Sequence, residues 1–407
     1  MSFAIGGGRT GTVLALGTAQ TLAWASSYYL PAMLAAPMAR DLGLATPTVF
    51  AVFSMALIVA ALVGPLAGTL IDHHGGRPVL MGTNLMFALG LAALALAQGP
   101  ATLILAWLLL GVAMGAGLYE AAFAALVRLY GTGSRNAITG ITLLAGFAST
   151  VGWPLSALME VQLGWRGACL VWAGLHLVLG LPLNFLLPRA AAPPAAPAPQ
   201  VAAASMPAAG AAPAALPPPP RYAAAVLSLV FTLTWFVSTG MAAHLPTLMQ
   251  AAGGTLALAV AVGALVGPAQ VAGRLFEFGF LRRVSPLAVA RAATLGHPVG
   301  ALLLWSLGAP AAAAFAILHG LGNGILTIAK GTLPLALFGA GGYGARQGWI
   351  ALPGRALQGL APWLFGLALE RWGAGALWLS ATLGLTACAA LLCLRLPRPV
   401  QAQAKVS

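Results

Sequence analysis

Twelve stretches of this chain are each long and apolar enough to cross a bilayer, a pattern that leaves few folds open to it. A hydrocarbon core about 30 Å thick takes ~20 residues of helix, and inside it every backbone amide must be satisfied within the protein. The runs lie near 12–36, 46–70, 78–98, 101–127, 136–159 and 166–187, then near 222–250, 256–281, 286–308, 311–339, 347–369 and 373–395. Between the two sets of six lies a Pro/Ala tract with neither the hydrophobicity to span nor the pattern to pack. The expected fold is an all-α membrane protein of twelve transmembrane helices in two pseudosymmetric six-helix bundles. Its parts are residues 1–187, a cytoplasmic linker over 188–221, and residues 222–407 ending in a short cytoplasmic tail.

Charge orients this topology. The 19 Lys and Arg outnumber the 6 Asp and Glu, giving a net charge of +13. The basic residues stand singly between apolar runs rather than in a stripe, which argues against nucleic acid. Cytoplasmic segments carry the excess of Lys and Arg in membrane proteins. With the N-terminus inside, 13 of the 19 fall in cytoplasmic segments, and the outer loops hold only Arg40, Arg166 and Arg371, near Asp41, Glu160 and Glu370. Both termini are expected in the cytoplasm, most naturally of a bacterial inner membrane. Cys169, Cys388 and Cys393 lie in apolar runs without metal-ligand spacing, and His73 and His74 are adjacent rather than one turn apart, so neither a disulfide framework nor a metal site is expected.

Arg274, Lys330 and Arg355 remain inside spans. A charge at the centre of a bilayer helix costs at least ~3 kcal/mol on insertion scales, so it faces a protein interior and usually serves a function. Arg274 lies eight residues before Arg282 and Arg355 nine after Arg346, so both start near one depth, about 12 Å and about 13 Å from the cytoplasmic end. Paired forked donors at the midplane suit a carboxylate, a dicarboxylate or another compact anion. Glu120, eight residues before Arg128, has the same depth and is either a proton-coupling carboxylate or a fixed counter-ion. Arg274 either binds substrate or pairs with Glu277 one turn on, or with Glu120 across the cavity. Lys330 is either a cavity cation or a snorkelling, gate-associated one. Tyr28, Gln270 and Asn323 are candidates for substrate contact, with Tyr29, Asn84 and His319 on the same terms; an interhelical hydrogen bond is the other reading of His319 and Asn323.

The loop after the second span reads G-T-L-I-D-H-H-G-G-R, Gly68 to Arg77. It resembles the signature of the major facilitator superfamily, with Gly68, Leu70, Asp72, Gly75 and Arg77 in register apart from a one-residue displacement at the arginine. The resemblance implies a gate in which small glycines let helices close together and Asp72 pairs with a cation or a helix N-terminus of the neighbouring bundle. The matching loop of the second half has Arg283 where a repeat would carry Asp, so gates of unequal charge are expected. The glycine-rich Gly111 to Tyr119, the segment R-L-Y-G-T-G-S-R-N-A-I-T-G with G-F-A-S-T-V-G-W-P-L after it, and G-R-L-F-E-F-G at Gly273 to Gly279 resemble monocarboxylate transporters and oxalate/formate antiporters. In those families an arginine of the eighth span contacts the carboxylate, which implies that role for Arg274.

The expected function is secondary transport of a small anion by alternating access, coupled to H+ or to a counter-anion, by a monomer without cofactor. Proton-coupled efflux of an amphipathic or cationic compound and a non-transporting sensor stay open as alternatives. No nucleophile–base pair, metal cluster or phosphate loop in the sequence points to an enzyme.

Overall fold

A computed structural model describes residues 8–189 and 220–396; the tract expected as a linker falls almost wholly outside them. Every regular element among the described residues is helical. In chain order they are α1 (Arg9–Ser26), α2 (Leu30–Asp41), α3 (Thr46–His74), α4 (Gly76–Ala95), α5 (Pro100–Gly117), α6 (Tyr119–Tyr130), α7 (Arg135–Ala145), α8 (Ala148–Leu175) and α9 (Leu181–Phe185). After the tract come α10 (Ala223–Ala251), α11 (Leu256–Gly279), α12 (Pro286–Leu307), α13 (Ala312–Phe338), α14 (Tyr343–Trp372) and α15 (Ala376–Leu392).

By length and hydropathy alone, seven stretches of the described residues are able to cross a membrane. One of them, 100–185, runs over 86 residues, about 130 Å of helix, and so holds several crossings. The count of twelve therefore remains an expectation from the sequence. Leu62, Leu66, Val178 and Leu302 stand more than half exposed, as side chains facing lipid do. Apolar clusters fill each of the two described stretches separately. One is built around Trp107, Trp172 and Phe87, another around Phe315 and Phe365, and one cluster joins Phe123 and Ile138 to Leu335 and Tyr343.

The first, fourth and fifth apolar runs, each expected as one span, are broken in mid-course. The first breaks at Ser27, the fourth at Leu118 and the fifth at Gly146–Phe147. Backbone groups released at membrane depth must be satisfied inside the protein. At the first break the hydroxyls of Ser26 and Ser27 donate to the carbonyls of Leu22 and Ala23. At the second, Gln20 Nε2 donates to the Gly117 carbonyl at 2.7 Å. The bend between the fifth and sixth runs falls at Gly164, whose φ of 68° is in the left-handed region that suits glycine. The runs matching the broken ones in the second stretch, α10, α13 and α14, stay continuous, although α14 contains Pro353 and Pro362.

The stretches 8–189 and 220–396 meet along α3 and α14, and where α6 and α7 pack on α11, α13 and α14. Gly68 lies against the Gly344 backbone and Gly348 against Pro65, a spacing that admits no Cβ at either glycine. The end of the bundle where Arg9 meets Tyr130 and Tyr222 meets Cys393 is here called the base, and the opposite end the rim.

Candidate functional site

Two basic side chains meet helix breaks, Arg355 of α14 at α6 just after Leu118 and Arg274 of α11 at α7 just before Gly146, while Lys330 of α13 lies over a ring that it shares with Arg355. Arg355 Nη2 donates to both oxygens of Glu120, at 2.7 and 2.8 Å, and Nη1 donates to Gln358 Oε1 at 3.2 Å. Gln358 Nε2 donates in turn to the Tyr28 hydroxyl at 3.2 Å. The Trp235 ring has Arg355 at 4.7 Å and Lys330 at 4.4 Å from its centroid, so one indole serves two cations, and Trp24 lies 5.9 Å from Arg355. Trp24 also packs on Tyr28, Tyr29 and Tyr119 at 5.2, 6.2 and 4.8 Å, which gives the cluster an aromatic wall.

The breaks explain where the charges sit. Leu118 is extended (φ −87°, ψ −162°), so α6 begins at Tyr119 and Glu120 falls in its first turn, where the helix dipole favours an anion. Arg274 Nη1 donates at 3.1 Å to the Thr142 carbonyl in the last turn of α7, beside the Gly146 N–H that the same carbonyl accepts, as suits a cation at a helix C-terminus. A Cβ at Gly146 would collide with that guanidinium. Arg274 is only 7% exposed, and its Nε has no hydrogen-bond partner among the described residues. Among those residues no carboxylate pairs with Arg274 or Lys330. Of the three, Arg355, itself only partly buried, holds the one carboxylate, Glu120. A narrow cleft between α3, α5 and α14, walled by small residues such as Ala60, Ala61 and Ala351, is also lined by Glu120, Arg355 and Gln358.

Several expectations are corrected. Glu277 does not face Arg274: it accepts from Arg135 Nη2 at 2.8 Å and from Thr139 at 3.3 Å, both at the start of α7. A side chain one turn below Arg274 on the same helix reaches the base of α7, where Arg135 already stands. Lys330 is 6% exposed and lies over Trp235, so its amine does not snorkel to an interface; the ring supplies locally what the interface would. Asn323 lines a separate pocket with His297, His319, Thr234 and Ser238, away from Arg355. There His297 and His319 are hydrogen-bonded at 3.0 Å, the interhelical reading of His319. Asn84 is held by His176, which also bonds Ser26, and takes no part in the cluster. Gln270 is half-buried one turn from Arg274, its backbone against Gly324. The sequence reading missed Trp24, Trp235 and Gln358, whose types are ordinary in apolar helices; only the spacing of Gln358, three residues after Arg355, was a signal.

The base carries a second set of crossings. Asp72 accepts from the backbone N–H groups of Gly344 and Ala345, both at 2.9 Å, at the start of α14, while Arg128 donates to the Asp72 carbonyl. Gly75, with φ 81°, makes the turn that follows, and Arg77 lies over Phe185. Arg135 also donates to the carbonyls of Val284 and Leu281. Each set thus holds one carboxylate across the interface, but with different partners: Asp72 takes backbone amides, whereas Glu277, near the end of α11, takes the Arg135 guanidinium. At the rim, Arg166 pairs with Asp41 at 2.9 Å within the first stretch.

The sequence profile described as Major Facilitator Superfamily matches residues 16–307. Two curated proteins align with part of the chain. An uncharacterized 38 kDa protein in the 23S RNA operon of Thermoproteus tenax is 33% identical over 155 residues, 38% of this chain and 40% of that protein. The 3-(3-hydroxy-phenyl)propionate transporter of Escherichia coli (strain K12) is 31% identical over 142 residues, 34% of this chain and 32% of that protein. This chain thus spans less than half the length of either relative. Among solved structures, the human organic anion transporter MFSD10 (TETRAN) superposes with a TM-score of 0.69 at 19% identity, over 94% of this chain and 99% of that one, a likeness of fold.

Proposed function

The chain belongs to the Major Facilitator Superfamily, an integral membrane transporter of small molecules, and we propose that its cargo is a small organic anion, a carboxylate or dicarboxylate carried by secondary active transport. One observation carries this reading: Arg274 and Lys330 are buried and Arg355 is partly buried, and among the described residues the one carboxylate that pairs with any of them is Glu120, on Arg355, leaving surplus basic side chains. Such charge is costly in a membrane unless an anion visits it. Trp24, Tyr28, Tyr29 and Tyr119 beside the cations favour an anion with a flat apolar body. The partial likeness to a phenylpropionate transporter points the same way. Arg274 and Arg355 act as ligands, with Tyr28 and Gln270 lining the cavity. Residues 1–187 and 222–407 rock about the site, joined by 188–221, in a monomer with the base and both termini on the cytoplasmic side of a bacterial inner membrane. Asp72, Glu277 and their partners hold the base shut, and Lys330 sits just above it.

The test is thermal unfolding of the purified protein and of Arg274→Ala with benzoate, 3-phenylpropionate, succinate, phosphate and an amphipathic cation. Carboxylates are expected to raise the midpoint of the wild type and leave Arg274→Ala unmoved. Stabilisation of both proteins by the cation alone would replace this reading with cation efflux. Counterflow in proteoliposomes separates a carrier from a sensor, which binds without trans-stimulated exchange.

A further inference from the structure

α3 and α14 touch at the base and part toward the rim. A Cβ at Gly68 would collide with Gly344 and one at Gly348 with Pro65, whereas one at Gly359, nearer the rim, would meet only the Ser54 carbonyl, at 3.7 Å. The narrow cleft lies where the helices part. On α3 it is lined by Leu57, Ala60, Ala61 and Gly64, spaced i, i+3, i+4, i+7, and on α14 by Gly348, Ala351 and Arg355, spaced i, i+3, i+7, so each helix turns one face to it. The exposed Ile58, Leu62 and Trp349 lie on other faces, which makes the cleft an inner one. Protein interiors are close-packed, yet a Cβ at Gly64 meets nothing within 4 Å. Given the anion reading above, on which this rests, we propose that the cleft takes the unbranched apolar tail of a medium-chain monocarboxylate, with its head on Arg355, and that Gly64 and Gly348 limit the tail's length.

Head and tail have separate places. The pairing of Gly348 with Pro65 and of Gly359 with Ser54 sets Gly64 at the closed end of the cleft and Arg355 toward the open one. Arg355 Nη2 serves Glu120 and one N–H of Nη1 serves Gln358, so among the described residues Nε and the second Nη1 N–H are left for a carboxylate. Arg355 stands seven residues after Gly348 on α14, which gives a tail about 10 Å of wall before the Gly348–Pro65 contact stops it. Along that wall Leu57, Ala60, Ala61, Gly64 and Ala351 carry no polar side chain. A second carboxylate at the far end of the tail would be buried there without a partner, so the cleft selects against long dicarboxylates. The aromatic wall stands at the head, where Tyr28 meets Gln358 and Trp24 lies beside Arg355, and a flat acid too short for Gly64 rests there.

Isothermal titration of the full-length protein, against a protein-free detergent blank, tests this with butanoate, hexanoate, octanoate, dodecanoate, octanedioate and benzoate. On the wild type, affinity is expected to rise about fourfold per added methylene from butanoate to octanoate. Dodecanoate, too long for the cleft, and octanedioate, with its stranded second charge, are each expected to bind about tenfold more weakly than octanoate. Gly64→Leu fills the closed end, and is expected to weaken octanoate by about tenfold or more, the worth of two buried methylenes. Butanoate and benzoate, which stop short of position 64, should stay within about twofold in that variant. A flat chain-length series on the wild type, or octanedioate bound as tightly as octanoate, overturns the proposal without any variant having to fold, and the anion reading stands. Equal losses of octanoate and benzoate in Gly64→Leu, or no loss of either, overturn it in the same way. Binding of none of the six acids by the wild type overturns the anion reading and this proposal together.

Discussion

Two ionic crossings join the same two stretches of chain, and they differ in what surrounds them. At mid-depth Glu120 comes from α6 and Arg355 from α14; at the base Glu277 comes from α11 and Arg135 from α7. The basal pair is closed: Glu277 also takes the Thr139 hydroxyl, and Arg135 also serves two backbone carbonyls. Around the upper pair, two further cations lack any carboxylate among the described residues, aromatic rings form one wall, and a cleft adjoins it. A salt bridge whose neighbours are satisfied suits a latch, and one amid surplus charge suits exchange with a ligand. Buried pairs add little net stability but are costly to break from one side, ~3–5 kcal/mol, so either partner removed alone should show clearly.

The contrast is breakable in four steps. The largest expected effect is at Arg274, which has no carboxylate to lose: Arg274→Ala should weaken carboxylate binding by ~100-fold or more, measured by titration calorimetry. Arg135→Ala, matched to it in charge, should leave that affinity within about threefold; equal losses at the two sites would erase the distinction between latch and binding cluster. Next comes the base itself. Asp72→Asn weakens two charge-assisted bonds to the α14 amides, on the order of 2 kcal/mol, and should shift the population toward an open base about thirtyfold, read by alkylation of a single cysteine placed at position 345. Trp235→Leu removes the ring shared by Lys330 and Arg355, and a loss of about fivefold in anion affinity is expected from cation–π energies. The smallest effect belongs to His73→Ala, an exposed side chain at the base, for which unchanged transport in proteoliposomes is expected.

Much of the fold was legible because hydropathy reports directly on what a bilayer tolerates. The charges Arg274, Lys330, Arg355 and Glu120 were legible for the same reason, since each interrupts an apolar run. Depth counted along single helices placed Glu120 and Arg355 at one level, and they do meet. The helix breaks were not legible, because Ser27, Leu118 and Gly146 sit in runs as apolar as their neighbours, and the side chains that bond carbonyls beside two of the breaks, Gln20 at Gly117 and Arg274 at Thr142, come from elsewhere in the chain. Glu277 was misread for a related reason: a possible partner three residues away on its own helix is a strong local signal, and it lost to Arg135, distant in sequence.

The sequence by itself determined that this chain lives in a membrane, that it is helical, and that a few costly charges lie at its centre. Those follow from the solvation cost of each residue, a property it carries alone. Only the tertiary structure decided which carboxylate holds which cation, that Arg274 docks on the end of a broken helix, and that Asp72 and Glu277 face the opposite stretch at the base. Pairing depends on distances between segments far apart along the chain. Those distances are set by where helices break and how closely glycines such as Gly68 and Gly348 let them pack.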